Sequence, residues 1–153
     1  MLFAWFKVDK MMSNNLILWP MIGMMVLTAV VWFVLYAKRI PAMKKAGVPV
    51  QTYTTPDKTV VLLPDAVNYP ANNFKNLFEL PVLFYGLCLF LYVTGSVDKT
   101  YVIAAWLFFA FRVLHSIVHC TSNIVMLRFY LYLAAALALW FMLGRAVIGL
   151  LGA

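Results

Sequence analysis

Residues 72–85 read NNFKNLFELPVLFY, and the reading of this stretch decides the fold. From Asn76 the chain is dominated by apolar residues as far as Gly95, enough helix to cross a hydrocarbon core of roughly 30 Å. An amide, a carboxylate and a proline enter that run together. A carboxylate in such a place is expensive, and it marks a paired or functional position. At helical pitch Asn72, Asn76 and Glu79 fall at i, i+4 and i+7, so one face carries all three. That polar stripe requires complementary groups on neighbouring helices. Pro81 removes one rung of the hydrogen-bond ladder, which predicts a kink just after Glu79.

The rest of the chain has the same character. Of its 153 residues 65% are hydrophobic and only 11% are charged, with a mean hydropathy of +0.92, so a single bilayer-embedded domain is expected over residues 1–153. In a soluble protein the net charge of +7 would suggest nucleic acid as a partner. Here the basic residues flank apolar spans, so they are read as topology signals and nucleic acid is excluded. Cys88 and Cys120 both lie inside apolar segments without metal-ligand spacing, and are expected to be buried structural thiols.

Four spans are predicted, at about 16–37, 76–95, 101–120 and 124–143, giving an all-α integral membrane protein with a four-transmembrane-helix bundle. Pro20 falls in the first turn of the first span, where its missing N–H is harmless. Trp5 and Phe6, ahead of that span, suit the headgroup zone. Residues 38–75 hold Pro41, Pro49, Pro56, Pro64 and Pro70 and are read as a long loop with short irregular pieces. This loop carries Lys38, Arg39, Lys44, Lys45, Lys58 and Lys75, whereas the connection near Ser96–Lys99 carries one lysine. The positive-inside rule therefore puts the loop in the cytoplasm and both termini outside, against the opposing vote of Lys7 and Lys10. With no eukaryotic sorting signal in evidence, a bacterial inner membrane is the expected location.

With this topology the polar residues of three spans share one depth. Asn76 and Glu79 lie at the cytoplasmic entry of the second span. Arg112, His115 and His119 lie at i, i+3 and i+7 near the cytoplasmic end of the third, and Arg128 begins the fourth. One reading is structural, with Glu79 and Arg112 forming a buried ion pair and Arg128 snorkelling to the interface. The other is a ligand site whose cationic surplus suits an anion arriving from the cytoplasm, with a lipophilic small molecule entering from the lipid. A metal on His115, His119 and Glu79 is disfavoured, because two arginines beside a cation repel it.

The pattern Asn76-x2-Glu79 followed by Pro81, and Arg112-x2-His115-x3-His119-x8-Arg128, resembles the MAPEG family, the membrane-associated proteins in eicosanoid and glutathione metabolism. The spacing is similar to that of its microsomal glutathione transferase and prostaglandin E synthase branch, and the resemblance covers essentially the whole chain. It implies a homotrimer that binds glutathione as co-substrate at subunit interfaces. Asn76, Glu79, Arg112, His115 and His119 would then bind glutathione, and Arg128 would stabilise its thiolate as the catalytic residue. The implied activity is a glutathione transferase with peroxidase capability; the alternative within the family is a non-catalytic lipid-binding or partner-binding protein. The chain departs from the family pattern at Asn72, usually an arginine, and at His119, commonly a tyrosine.

Overall fold

The computed structural model describes residues 14–152, and they contain helices and turns with no strand. The helices are α1 (Leu18–Ala46), a 3-10 turn (Val50–Tyr53), α2 (Pro56–Leu62), α3 (Asp65–Asn76), α4 (Leu80–Val93), α5 (Lys99–Cys120) and α6 (Val125–Leu151). Four units are long and apolar enough to span a bilayer: α1, the broken pair α3–α4, α5 and α6. The expected interfacial lead-in, with Trp5, Phe6, Lys7 and Lys10, lies outside the described residues.

The spans match the expected ones in number and order, but their ends and the loop differ. α1 continues through Pro41 to Ala46 and ends at Gly47, whose left-handed φ of 65° lets its N–H reach Lys44 O at 3.3 Å. Lys44 and Lys45 in the last turn complement the helix dipole. The expected loop over 38–75 is largely helical, because three of its prolines begin helices instead of interrupting them. Pro49 precedes the 3-10 turn, Pro56 opens α2 behind a Thr55 cap, and Pro64 precedes α3. α6 runs past the expected end to Leu151, which brings Arg145 into its last turns.

The second span breaks where Pro81 demands it. The proline sits in the first turn of α4, and the missing bond to the turn before it leaves Leu77–Glu79 non-helical. The interruption therefore includes Glu79, whereas the sequence pattern placed it just after. Glu79 itself has φ −97° and ψ −105°, outside the helical region.

α5 and α6 pack closely through alanines, with Ala104, Ala105, Ala135 and Ala136 all buried. Phe84 of α4 stacks on Phe108 of α5 with ring centroids 4.3 Å apart, and Leu91, Leu139 and Met142 complete this core. α1 closes against α5 at Gly23, where a Cβ would lie 2.9 Å from the Phe109 ring, so a larger residue there would require that ring to shift. The outward faces are apolar, as with Trp19 and Phe33 on α1 and Phe141 and Val147 on α6, which suits lipid contact. Cys88 is fully buried as expected, whereas Cys120 is only half-buried at the end of α5.

Candidate functional site

Three elements meet at the end of the bundle nearest the residue 47–64 connection. At the break between α3 and α4 the last carbonyls of α3 accept tight-turn bonds, the longest from Glu79 N to Asn76 O at 3.4 Å, and Asn76 O can take a second donor. Arg112, fully buried on α5, turns its Nη2 to this point and donates to Asn76 Oδ1 at 2.7 Å and to Asn76 O at 3.3 Å. Asn76 in turn donates from Nδ2 to Glu79 Oε2 at 2.7 Å. The direct Glu79–Arg112 ion pair expected from the sequence is therefore replaced by a relay through a neutral amide. The reason is the helix break, which puts Asn76 against the guanidinium and leaves Glu79 exposed. A ring face adds to the support, with the Arg112 guanidinium carbon 5.6 Å from the Tyr132 centroid.

The two histidines are fixed by α6. His115 donates from Nδ1 to the backbone carbonyl of Arg128 at 2.8 Å, because a carbonyl only accepts. Arg128 donates from Nη1 to His119 Nε2 at 2.8 Å and to Asn123 Oδ1 at 2.7 Å. A guanidinium only donates, so His119 is a neutral tautomer with its proton on Nδ1. His115 Nε2, a bare acceptor, and His119 Nδ1–H, a donor, are then both buried without a protein partner among the described residues. The rings stand perpendicular with centroids 5.4 Å apart. Asn123 adopts a left-handed φ of 50° in the α5–α6 turn, and this conformation aims its amide at Arg128.

These groups line one open cavity of about 550 Å³, within the size range of small-molecule sites. Asn76, Glu79, His115, His119 and Arg128 all reach it, with Asn72 and Lys75 at one rim. Arg112 lies behind this wall and is not part of the lining. Tyr132, Phe129 and Val125 were not singled out in the sequence, yet they line the cavity from α6. Their signal was available: Val125, Arg128, Phe129 and Tyr132 fall at i, i+3, i+4 and i+7 on one helical face.

The neighbouring cations are now placed. Lys75 shares the rim with Asn72, whereas Lys38 donates to Cys120 O at 2.9 Å and caps α5. Arg39 faces a second, adjoining cavity between α1 and α3, which shares Asn72 and Lys75 with the first. Asn73 is buried and ties α3 to α5, accepting from Ser116 Oγ and donating to Cys120 Sγ at 3.4 Å each. No group of three or more His, Cys, Asp or Glu side chains converges among the described residues.

Neither the curated proteins nor the solved structures contain a significant match to this chain. A profile of the MAPEG family, in contrast, matches residues 17–148, from the start of α1 to the last turns of α6. With four span-capable helices and this match over most of its length, the chain belongs to the MAPEG family.

Proposed function

We propose that the protein is a membrane-bound glutathione transferase that conjugates glutathione to lipophilic electrophiles dissolved in the bilayer. The single observation that supports this most is the state of Arg128. Both of its side-chain bonds run through Nη1, to His119 and Asn123, so Nη2 and Nε remain to meet an anion at the cavity wall. A guanidinium held in this way is preorganised, with its fork fixed before the ligand arrives.

In this reading Asn76, Glu79, His115 and His119 hold the peptide, Arg112 positions Asn76, and Arg128 faces the sulfur. A free thiol has a pKa near 8.5, so little thiolate exists at neutral pH, and the thiolate is the nucleophile. A cation beside the sulfur in a partly dry site favours the anion. The thiol S–H breaks, its proton passes to water, and the sulfur forms a bond to the electrophilic carbon as a halide or similar group leaves with its electron pair. Phe129 and Val125, both exposed at the cavity edge, provide an apolar margin for that electrophile. The assembly is a homotrimer in the membrane, with the 47–64 connection in the cytoplasm of a bacterial cell and both termini outside.

Asn72 favours a second reading, a non-catalytic family member that binds a lipophilic ligand or a membrane partner. An amide at the rim lacks the charge that would hold a glutathione carboxylate, and Lys75 is the one cation placed to replace it. Conjugation of glutathione to a hydrophobic aryl halide by the purified protein separates the two. Turnover that survives in part in Arg128→Lys, which keeps the charge but loses the fork, and is lost in Arg128→Ala fits the transferase. Failure of the wild type to bind glutathione removes the transferase and leaves the second reading.

A further inference from the structure

A second cavity, of about 350 Å³, lies between α1 and α3 and is closed by the 3-10 turn. One wall is the α1 face carrying Trp32, Tyr36 and Arg39 at i, i+4 and i+7; the other is the α3 face carrying Asn68 and Lys75 at i, i+7. No acidic side chain lines it.

Three polar atoms here are buried without partners among the described residues: Arg39 Nε, Tyr53 Oη and Asn68 Oδ1. Asn68 is only 3% exposed. Its Nδ2 is turned to the carbonyls of Leu63 at 3.2 Å, Val60 at 3.4 Å and Pro64 at 3.5 Å, so its oxygen is the unused end. Buried polar groups in native proteins find partners, and an unpaired guanidinium N–H is among the more costly exceptions. The orphans specify an occupant. Arg39, Lys75 and the Tyr53 hydroxyl ask for an anion, while Asn68 Oδ1 asks for a hydrogen-bond donor on the same molecule.

Trp32 and Tyr36 say where that molecule comes from. Their rings meet edge-on at 4.8 Å, both are half-exposed, and they sit one turn or more before Arg39 on a spanning helix. Aromatic residues ahead of a basic one mark the headgroup layer, with acyl chains below and water above. We propose that this cavity is a phospholipid headgroup site, in which Arg39 and Lys75 bind the phosphodiester and Asn68 accepts from a head that carries an N–H or O–H donor. This cavity adjoins the one lined by His115 and Arg128, sharing Asn72 and Lys75 with it, but Arg39, Tyr53 and Asn68 belong to this cavity alone, so their contacts do not depend on the glutathione reading.

The test uses the full chain, purified in nonionic detergent and stripped of lipid. Phosphatidylethanolamine, phosphatidylglycerol, phosphatidylcholine and inorganic phosphate are added separately; thermal unfolding and native mass spectrometry report binding. The first two lipids should raise the melting temperature and remain bound. Phosphatidylcholine has the same phosphodiester but no donor on its quaternary ammonium, and should bind roughly tenfold more weakly. Arg39→Met should weaken the favoured lipids by a similar factor or more, and Tyr53→Phe by less, with Arg39→Lys keeping part of the affinity. The contrast between lipids in the wild type needs no variant, so a poorly folded mutant does not decide the result. Equal binding of phosphatidylcholine, unchanged lipid retention by folded Arg39→Met, or an equal effect of inorganic phosphate would each overturn the proposal.

Discussion

The two ends of the bundle handle their arginines in opposite ways. At the far end Arg145 donates to Asp98 Oδ1 at 2.7 Å, pairs with the second carboxylate oxygen, and lies 4.4 Å from the Tyr101 ring centroid. Asp98 also caps α5 by accepting from Tyr101 N at 3.1 Å. Arg145 there has its counter-charge, and the cluster is accounted for by joining α5 to α6. At the site end Arg112 is buried against an amide and a ring, and the half-buried Arg128 is held by a neutral imidazole and an amide. Among the described residues neither arginine has a direct carboxylate partner. A satisfied cluster is structure, whereas an unbalanced one at the wall of a cavity is a place for an anion.

The largest effect should follow from removing the group that lets Arg112 remain buried. Asn76→Leu strands a guanidinium that is completely shielded from solvent and also releases Glu79. Breaking a buried charged contact in this way typically costs about 3–5 kcal/mol. Chemical unfolding in detergent should show a loss of that order. A loss below about 1 kcal/mol would show that Arg112 does not depend on Asn76.

His119 comes next. His119→Phe removes the acceptor of Arg128 Nη1 and leaves Asn123 as the remaining protein partner, a loss of about 1–3 kcal/mol for a bond to a charged group. His119→Gln can still present an oxygen and should recover much of that stability. Equal losses in the two variants would mean that packing of the ring, not acceptance from Arg128, is what matters.

Glu79→Gln should be milder than a direct ion pair would require. Gln keeps an oxygen for Asn76 Nδ2, and the carboxylate is exposed, so a loss under about 1 kcal/mol is expected. A double-mutant cycle with Asn76→Leu should show coupling. A loss of several kcal/mol from Glu79→Gln alone would restore a direct pair with Arg112.

The smallest effect belongs to the balanced end. The Arg145 hydrogen bond holds the Asp98 carboxyl below the usual carboxylate range; burial opposes it next, and the Tyr101 N–H, the Arg145 charge and the Thr100 N–H add to the lowering. A depressed folded pKa means stability that is present above the unfolded value near 4 and is lost as pH falls through the folded value. The pair is partly exposed, so the contribution is about 1 kcal/mol or less. Wild type should lose this increment on acidification below pH 4, and Asp98→Asn should not; identical acid profiles would dissociate the pair from stability.

Much of this contrast was legible in the residues. Span number followed from apolar length, and the depth shared by Asn76, Glu79, His115, His119 and Arg128 followed from alternating helix direction, with all five lining one cavity. The Arg112 partner was not legible, because helical spacing put Glu79 on the face beside Asn76 while Pro81 broke the helix between them. The 38–75 segment was misread for a related reason: a proline ends a helix in its interior but starts one at its first turn, and composition does not distinguish the two. Tyr132 carries no charge to distinguish it from the apolar lipid-facing residues of α6, although its i+4 spacing from Arg128 puts it on the cavity face.

The central claim is that Arg128 faces a sulfur and holds it as an anion. The direct measurement is the ultraviolet thiolate absorbance of the glutathione complex, titrated against pH for wild type and Arg128→Ala. The wild-type complex should show thiolate at neutral pH, its midpoint lowered by about two pH units from that of the free thiol, which corresponds to roughly 2.7 kcal/mol. The variant should titrate near the free value. A wild-type complex that binds glutathione but shows no thiolate at neutral pH, or an Arg128→Ala complex whose midpoint stays as low as that of the wild type, contradicts the role assigned to Arg128.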